Sequence, residues 1–138
     1  MENKTRILIV DDEAGMCDFL SYYLKNHGFE VQTALNGDQA VDLFEKGSFH
    51  LVLADIMMPA LDGLEMLRRI KALDPNAVVI MMTAYASLDK AMKAIKYGAA
   101  DLLVKPFQTH TLLTTIQRSL EKSSLNPGAI PSADASGD

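Results

Sequence analysis

The chain has 138 residues, 22% of them charged and 49% apolar, with a formal net charge of −5 and one cysteine. That length supports a single domain with a full core, and the acidic balance argues against direct nucleic-acid binding or attraction to an anionic membrane surface. Cys17 alone excludes an intramolecular disulfide and suits a reducing compartment, no apolar run approaches the roughly 20 residues that cross a bilayer, and the polar start has no secretory-leader pattern, so a cytoplasmic location is expected.

Taken in order, Ile7-Leu8-Ile9-Val10 predicts a strand buried on both faces, ending in Asp11-Asp12-Glu13. A helix follows with Met16, Leu20, Tyr23, Leu24 and His27 on one face, stopped by Gly28. Cys17 is expected to be a packed, inert thiol. Glu30 to Ala34 alternates polar and apolar, as an edge strand does. Asn36-Gly37 is a turn, and the next helix carries Val41 and Phe44 inward and ends near Gly47. Leu51-Val52-Leu53-Ala54 predicts a central strand with Asp55 at its carboxyl end. Pro59 and Asp62-Gly63 then mark a turning segment.

Leu64, Leu67, Ile70 and Leu73 define a helix that ends before Asp74-Pro75. Ala77 to Met82 is a fourth strand ending at Thr83. A helix over Ser87–Tyr97 is expected to turn Leu88, Met92 and Ile95 inward, with Gly98 as its stop. Asp101 to Val104 is a fifth strand running into Lys105-Pro106-Phe107. The last helix, Thr109–Lys122, buries Leu112 or Leu113, Ile116 and Leu120. Residues 123–138 lack periodicity and are expected to form a disordered tail or linker beyond a domain at 1–122. Five strand–helix units with apolar strands predict an α/β fold: one parallel sheet, doubly wound, with helices on both faces.

Parallel strands share one carboxyl-terminal edge, where open α/β sheets place their ligands. Strand ends bring Asp11, Asp12, Asp55, Thr83 and Lys105 to that edge. Two carboxylates about 5 Å apart repel by roughly 3 kcal/mol at an effective dielectric near 20, so three of them call for a hard divalent cation. Mg²⁺ suits a site with few carboxylates, several waters and a phosphoryl oxygen. Lys105 adds a movable point charge and Thr83 a hydroxyl donor. The set describes a carboxylate nucleophile, Asp55, accepting a phosphoryl group whose charge the metal, the lysine and the hydroxyl neutralise. Each residue alone has an ordinary structural role: helix cap, strand former or solvated lysine. Their joint placement at four strand ends carries the functional reading.

Val10-Asp11-Asp12-Glu13, Asp55 with Met58-Pro59 and Asp62-Gly63, Met82-Thr83-Ala84, and Lys105-Pro106-Phe107 together resemble the receiver domain of bacterial two-component response regulators. The resemblance spans Arg6 to Lys122, and Thr83 to Ser87 with Gly98 to Asp101 look most like receivers of enhancer-binding transcription activators. It implies a flavodoxin-like sheet in the order 2-1-3-4-5 and phosphorylation of Asp55 by a partner histidine kinase. Asp12 and Asp55 would ligate Mg²⁺ with the Met57 backbone carbonyl, Asp11 helping through water. Thr83 and Lys105 would grip the phosphoryl group, and the Lys105-Pro106 bond would be cis. The domain would be a signalling phosphoacceptor that catalyses only its own phosphorylation and dephosphorylation. The fourth helix, fifth strand and fifth helix would control a downstream effector, through partner contacts or a phosphorylation-dependent homodimer, with Tyr97, Lys90, Lys93 and Lys96 on that surface. Many receivers carry an aromatic switch residue where this chain has Leu102, so switching is expected to rest on Thr83.

Two other function classes fit the topology less well. A haloacid-dehalogenase-like phosphohydrolase needs an Asp-x-Asp pair on the first strand, and Asp11-Asp12-Glu13-Ala14 lacks it. A flavin-binding electron carrier needs a hydroxyl- and glycine-rich phosphate loop at the same place, where this chain is acidic. His27, His50 and His110 have no metal-ligand spacing.

Overall fold

The structure, a computed structural model, describes residues 4–58, 62–84 and 88–125. Ten elements alternate: β1 (Arg6–Val10), α1 (Ala14–Asn26), β2 (Glu30–Ala34), α2 (Gly37–Lys46), β3 (Leu51–Asp55), α3 (Gly63–Leu73), β4 (Val79–Ala84), α4 (Leu88–Lys96), β5 (Asp101–Lys105) and α5 (Thr109–Leu125). The strands form one sheet in the order β2-β1-β3-β4-β5, and every neighbouring pair is parallel. The expected order and class are therefore observed. The central strands are apolar because both of their faces are covered.

Alternate strand residues feed two separate cores. Leu8, Val10, Val52, Ala54, Val79 and Met81 face α2, α3 and α4, meeting Ala40, Met66, Leu67, Ile70 and Ala94. Ile7, Ile9, Leu51, Leu53, Ile80, Met82 and Leu103 face α1 and α5, meeting Cys17, Leu20, Leu24, Leu112 and Ile116. β2 lies at the edge, and only Ala34 of its five residues is buried. Gly28 and Gly98 end α1 and α4 with φ of +93° and +103°, a backbone that a side chain disfavours.

Several expected faces turn out differently. In α1 the buried residues are Cys17, Leu20 and Leu24, whereas Met16 and Tyr23 are half-buried. His27 is the exposed C-cap, stacked on Tyr23 with centroids 4.4 Å apart. In α3, Leu73 is 46% exposed and Met66 takes a core position. β4 begins two residues later than expected and includes Thr83 and Ala84.

The largest correction concerns α4. Leu88, Met92 and Ile95, expected inward, are 57%, 73% and 52% exposed, while Ala91 and Ala94 are buried. At 100° per residue the two sets of positions lie roughly a quarter turn apart on the helix. The small alanines let α4 approach the sheet closely, which leaves the larger apolar side chains on the outside. α5 continues to Leu125, so residues 123–125, expected in the tail, are helical. The expectations for Pro59, for the loop at 85–87 and for the tail at 126–138 fall outside the described residues.

Candidate functional site

The carboxyl-terminal edge gathers the expected side chains. Asp11 follows β1 and is fully buried, Asp55 ends β3 and is 8% exposed, and Asp12 is exposed. One ligand atom from each of these three carboxylates lies within 4.8 Å of the others, forming a cluster that could hold a metal ion. Among the described residues it is the one such cluster of acidic, histidine or cysteine side chains.

Lys105, at the end of β5, reaches into the cluster. Its Nζ stands 2.8 Å from Asp55 Oδ2 and 3.3 Å from Asp11 Oδ2. The Lys105-Pro106 peptide bond that follows is cis, as the resemblance implied. The other oxygens are engaged by backbone: Asp11 Oδ1 accepts from Glu13 N–H at 3.0 Å, and Asp55 Oδ1 from Met57 N–H at 3.0 Å.

Burial pushes the Asp11 carboxyl above its ordinary range, and the Asp55 charge adds to that rise. Hydrogen bonds from Glu13 and the Lys105 charge oppose it without cancelling it. For Lys105, burial works against the charged form, but the Asp55 and Asp11 carboxylates win and hold its pKa above the usual lysine value. Cys17 lies beneath, with Sγ 3.4 Å from the Asp11 carbonyl oxygen. Burial first, and the Asp11 charge second, push its thiol up to about 11, so it is an inert packing group.

Three carboxylates against one ammonium leave a formal surplus of two negative charges on the edge. That surplus and the all-oxygen donor set fit Mg²⁺.

Thr83 is 1% exposed, and its hydroxyl donates to the Ala84 carbonyl at 3.1 Å. Met57 is 48% exposed, and its Sδ takes a contact from Lys90 Nζ at 3.3 Å. Leu102 is half-buried and packs on the core side that holds α4, alongside Tyr97 and Ala99.

Local sequence explains how the loop after Asp55 closes. Asp62 caps α3 by accepting from Glu65 N–H at 2.9 Å. Gly63 N–H donates to the Ile56 carbonyl at 2.9 Å. A Cβ at Gly63 would overlap the Asp55 carbonyl oxygen and stand 2.6 Å from Ile56 Cα. Glycine is therefore required for the helix start to press against the end of β3.

Two features escaped sequence reasoning. One is the contact of Lys90 with Met57, because lysines on a helix face carry no signal of where they reach. The other is an apolar cleft of about 380 Å³ beside Lys105, lined by Met16, Phe19, Pro106 and Phe107. It is built from side chains of two elements far apart in sequence. The histidines are dispersed: His27 caps α1, His50 precedes β3 and His110 lies in the first turn of α5.

This arrangement of sheet order and edge chemistry is that of a phosphoacceptor switch, and the comparisons with known proteins agree. Residues 7–117 match the response regulator receiver domain family, and the chain belongs to it. It is a receiver domain of two-component response regulators.

The transcriptional regulatory protein ZraR of Klebsiella oxytoca is 39% identical over 129 residues, which are 94% of this chain and 29% of that protein. The chemotaxis protein CheY of Bacillus subtilis (strain 168) is 43% identical over 116 residues, 83% of this chain and 97% of that one. Among solved structures, a CheY-like receiver domain protein from Methanospirillum hungatei JF-1 matches with a TM-score of 0.85 at 33% identity, covering 88% of this chain and 98% of that one. The receiver domain of NtrX from Brucella abortus matches with a TM-score of 0.80 at 35% identity, covering 83% and 98%. The chain spans less than a third of the length of the ZraR relatives it matches. Transcriptional regulators thus stand among its relatives, as the finer resemblance suggested.

Proposed function

We propose that Asp55 accepts a phosphoryl group from a histidine kinase in a Mg²⁺-dependent reaction, and that the chain works in the cytoplasm. The observation that carries this reading is the Asp11, Asp12 and Asp55 cluster closed by Lys105. Asp11, Asp12, Asp55 and the Met57 backbone carbonyl are the oxygens that would hold the metal. When bound, Mg²⁺ supplies positive charge to the transferring phosphoryl oxygens. An Asp55 oxygen forms the new P–O bond as the donor's bond to phosphorus breaks. Met57 N–H and Lys105 fix the carboxylate for in-line approach, so the barrier falls through orientation and electrostatics. Lys105 then shifts from the carboxylate to a phosphoryl oxygen, and Thr83 exchanges its local bond with Ala84 for another. Hydrolysis of the acyl phosphate by water at the same edge resets the domain; these are the reactions it promotes on itself.

The cleft of Met16, Phe19, Pro106 and Phe107 opens beside Lys105 and offers an apolar seat for the kinase domain that presents the phosphoryl group. The output surface is the outer face of α4, β5 and α5. Leu88, Met92, Ile95 and Val104 are exposed there, and Lys93 and Lys96 lie on the same helix. That face suits contacts with an effector domain or a second copy of the chain. Tyr97 is half-buried against the core and under Arg68 of α3, whose guanidinium carbon is 5.2 Å from the ring centroid, so it turns toward α3 and not onto that outer face. The expected domain end at 122 moves to Leu125, where the last helix stops, and a tail or linker is proposed beyond it.

Acetyl phosphate with Mg²⁺ should add the mass of HPO₃, about 80 Da by arithmetic, to the intact protein, and chelator should prevent the addition. The substitution Asp55→Asn should abolish it. The same adduct on the Asp55→Asn protein would refute the assignment. Mg²⁺ should also raise the melting temperature of the wild type, because it binds only the folded cluster.

A further inference from the structure

We propose that Lys90 senses the phosphoryl group: its ammonium rests on the Met57 thioether and transfers to a phosphoryl oxygen on Asp55, drawing the start of α4 toward the site. The inference rests on the reading of Asp55 as phosphoacceptor and extends it to a residue in the first turn of α4.

The resting contact is poor for a cation. Lys90 Nζ lies 3.3 Å from Met57 Sδ, and a thioether is a weak acceptor with no charge to offer. Lys90 is half-buried along its stem, and its contact with the sulfur is exposed, so the ammonium stays free to move to a better partner. Its position on the helix is also adverse. α4 begins at Leu88, which places a positive charge in the first turn, where the helix dipole favours a negative one. Lys93 and Lys96, by contrast, lie in the last turn, where the dipole favours them.

Met57 couples the two sites through one residue. Its backbone N–H donates to Asp55 Oδ1 at 3.0 Å while its sulfur holds Lys90. Among the described residues, Lys90 reaches Met57 in the segment just after Asp55, while Lys105 reaches Asp55 itself. A lysine has a flexible four-carbon stem and a compact charge, which suits a short swing to a new partner.

Charge counting supplies the driving force. An acyl phosphate at Asp55 carries about two negative charges on its oxygens, to which Asp11 and Asp12 add one each. Lys105 and a divalent cation together neutralise three of these four. Lys90 would neutralise the last, beside the buried Asp11 and Asp55 carboxylates. Phosphorylation thus offers Lys90 a partner far better than sulfur, and α4 carries the exposed face of Leu88, Met92 and Ile95 with it.

The test uses beryllofluoride, a phosphoryl mimic, with Mg²⁺ on the whole chain, read by fluoride-dependent amide exchange across residues 88–97 and by titration of mimic affinity. Lys90→Gln should weaken mimic binding five- to tenfold and reduce the protection gained by α4, while leaving the Mg²⁺-induced melting shift of the mimic-free protein unchanged. Lys90→Arg should stay within twofold of wild type, and so should Lys93→Gln, which removes one charge from the same helix. If Lys90→Gln binds the mimic as wild type does, with full α4 protection, the role of Lys90 is refuted and the phosphoacceptor reading stands. An equal loss in Lys93→Gln also refutes it, by showing a generic charge effect. A wild-type protein that binds no mimic in Mg²⁺ overturns both.

Discussion

Asp11 illustrates how one residue serves folding and function in opposite directions. It is fully buried, and burial raises its pKa despite the Glu13 N–H and the Lys105 ammonium. An acid with a raised folded-state pKa favours folding while it is protonated. The unfolded chain gives up that proton near the ordinary value of 3.8. Stability contributed by Asp11 is therefore full below that value and is lost as pH rises through the raised folded value. Without divalent cation, Asp11→Asn should be more stable than wild type at neutral pH, with the gap closing as pH falls toward the ordinary aspartate value. Urea midpoints across this range measure it. A gap that widens on acidification would contradict the burial argument. The charge that costs stability in the metal-free domain is the one that attracts a cation.

At the scale of an element, α4 separates composition from placement. Its apolar residues form a stripe at helical spacing, yet the stripe faces outward and two alanines face the sheet. A helix pressed close to a sheet needs small residues at the contact, and the bulkier stripe then remains available to a partner. Met92 is 73% exposed, so Met92→Glu should change stability by no more than about 0.5 kcal/mol, as surface substitutions do. A buried Met92 would instead cost several kcal/mol on the same change. Sedimentation of the phosphorylated protein should show the second effect of Met92→Glu, a loss of association or of effector binding. A large fall in melting temperature would return Met92 to the core.

Across the whole molecule, the site and the output surface share β4 and β5. Thr83 pairs in register with Val104, and Met81 with Leu102, so the two strands carry edge chemistry and α4 packing side by side. Thr83 is buried, with a hydroxyl that donates to the adjacent Ala84 carbonyl, a local bond it can exchange. Leu102 lacks a polar tip and is half-buried against the core on the α4 side, where a single orientation serves both states. Thr83→Ala should leave Asp55 labelling intact while largely uncoupling it from amide protection of α4. Leu102→Val should cost about 1 kcal/mol, as a small core truncation does, and preserve the coupling. Silencing by Leu102→Val with Thr83→Ala unaffected would reverse these roles.

The strand–helix alternation, the parallel sheet, the convergence of Asp11, Asp12, Asp55 and Lys105, and the place of Thr83 at the end of β4 were legible in the amino-acid sequence. Buried parallel strands must be continuously apolar, and a polar residue that ends such a run must lie at its edge, so period and punctuation suffice. The direction each helix faces was not legible to the same degree. For α3 and α4, spacing gave a stripe, but packing decided which side met the sheet. An i+3 row drifts about 60° per step around a helix, so Leu73, the last residue of α3, is exposed while Met66 is buried, and in α4 Ala91 is buried in place of Met92. The ion pairs of Lys105 with Asp55 and Asp11 span 50 and 94 residues of chain. Lys90 and Met57 are 33 apart, and nothing local distinguishes either lysine from a solvated one. Tertiary structure alone decided these contacts, because a long flexible side chain is placed by the partners that folding brings within its reach and not by its neighbours in sequence.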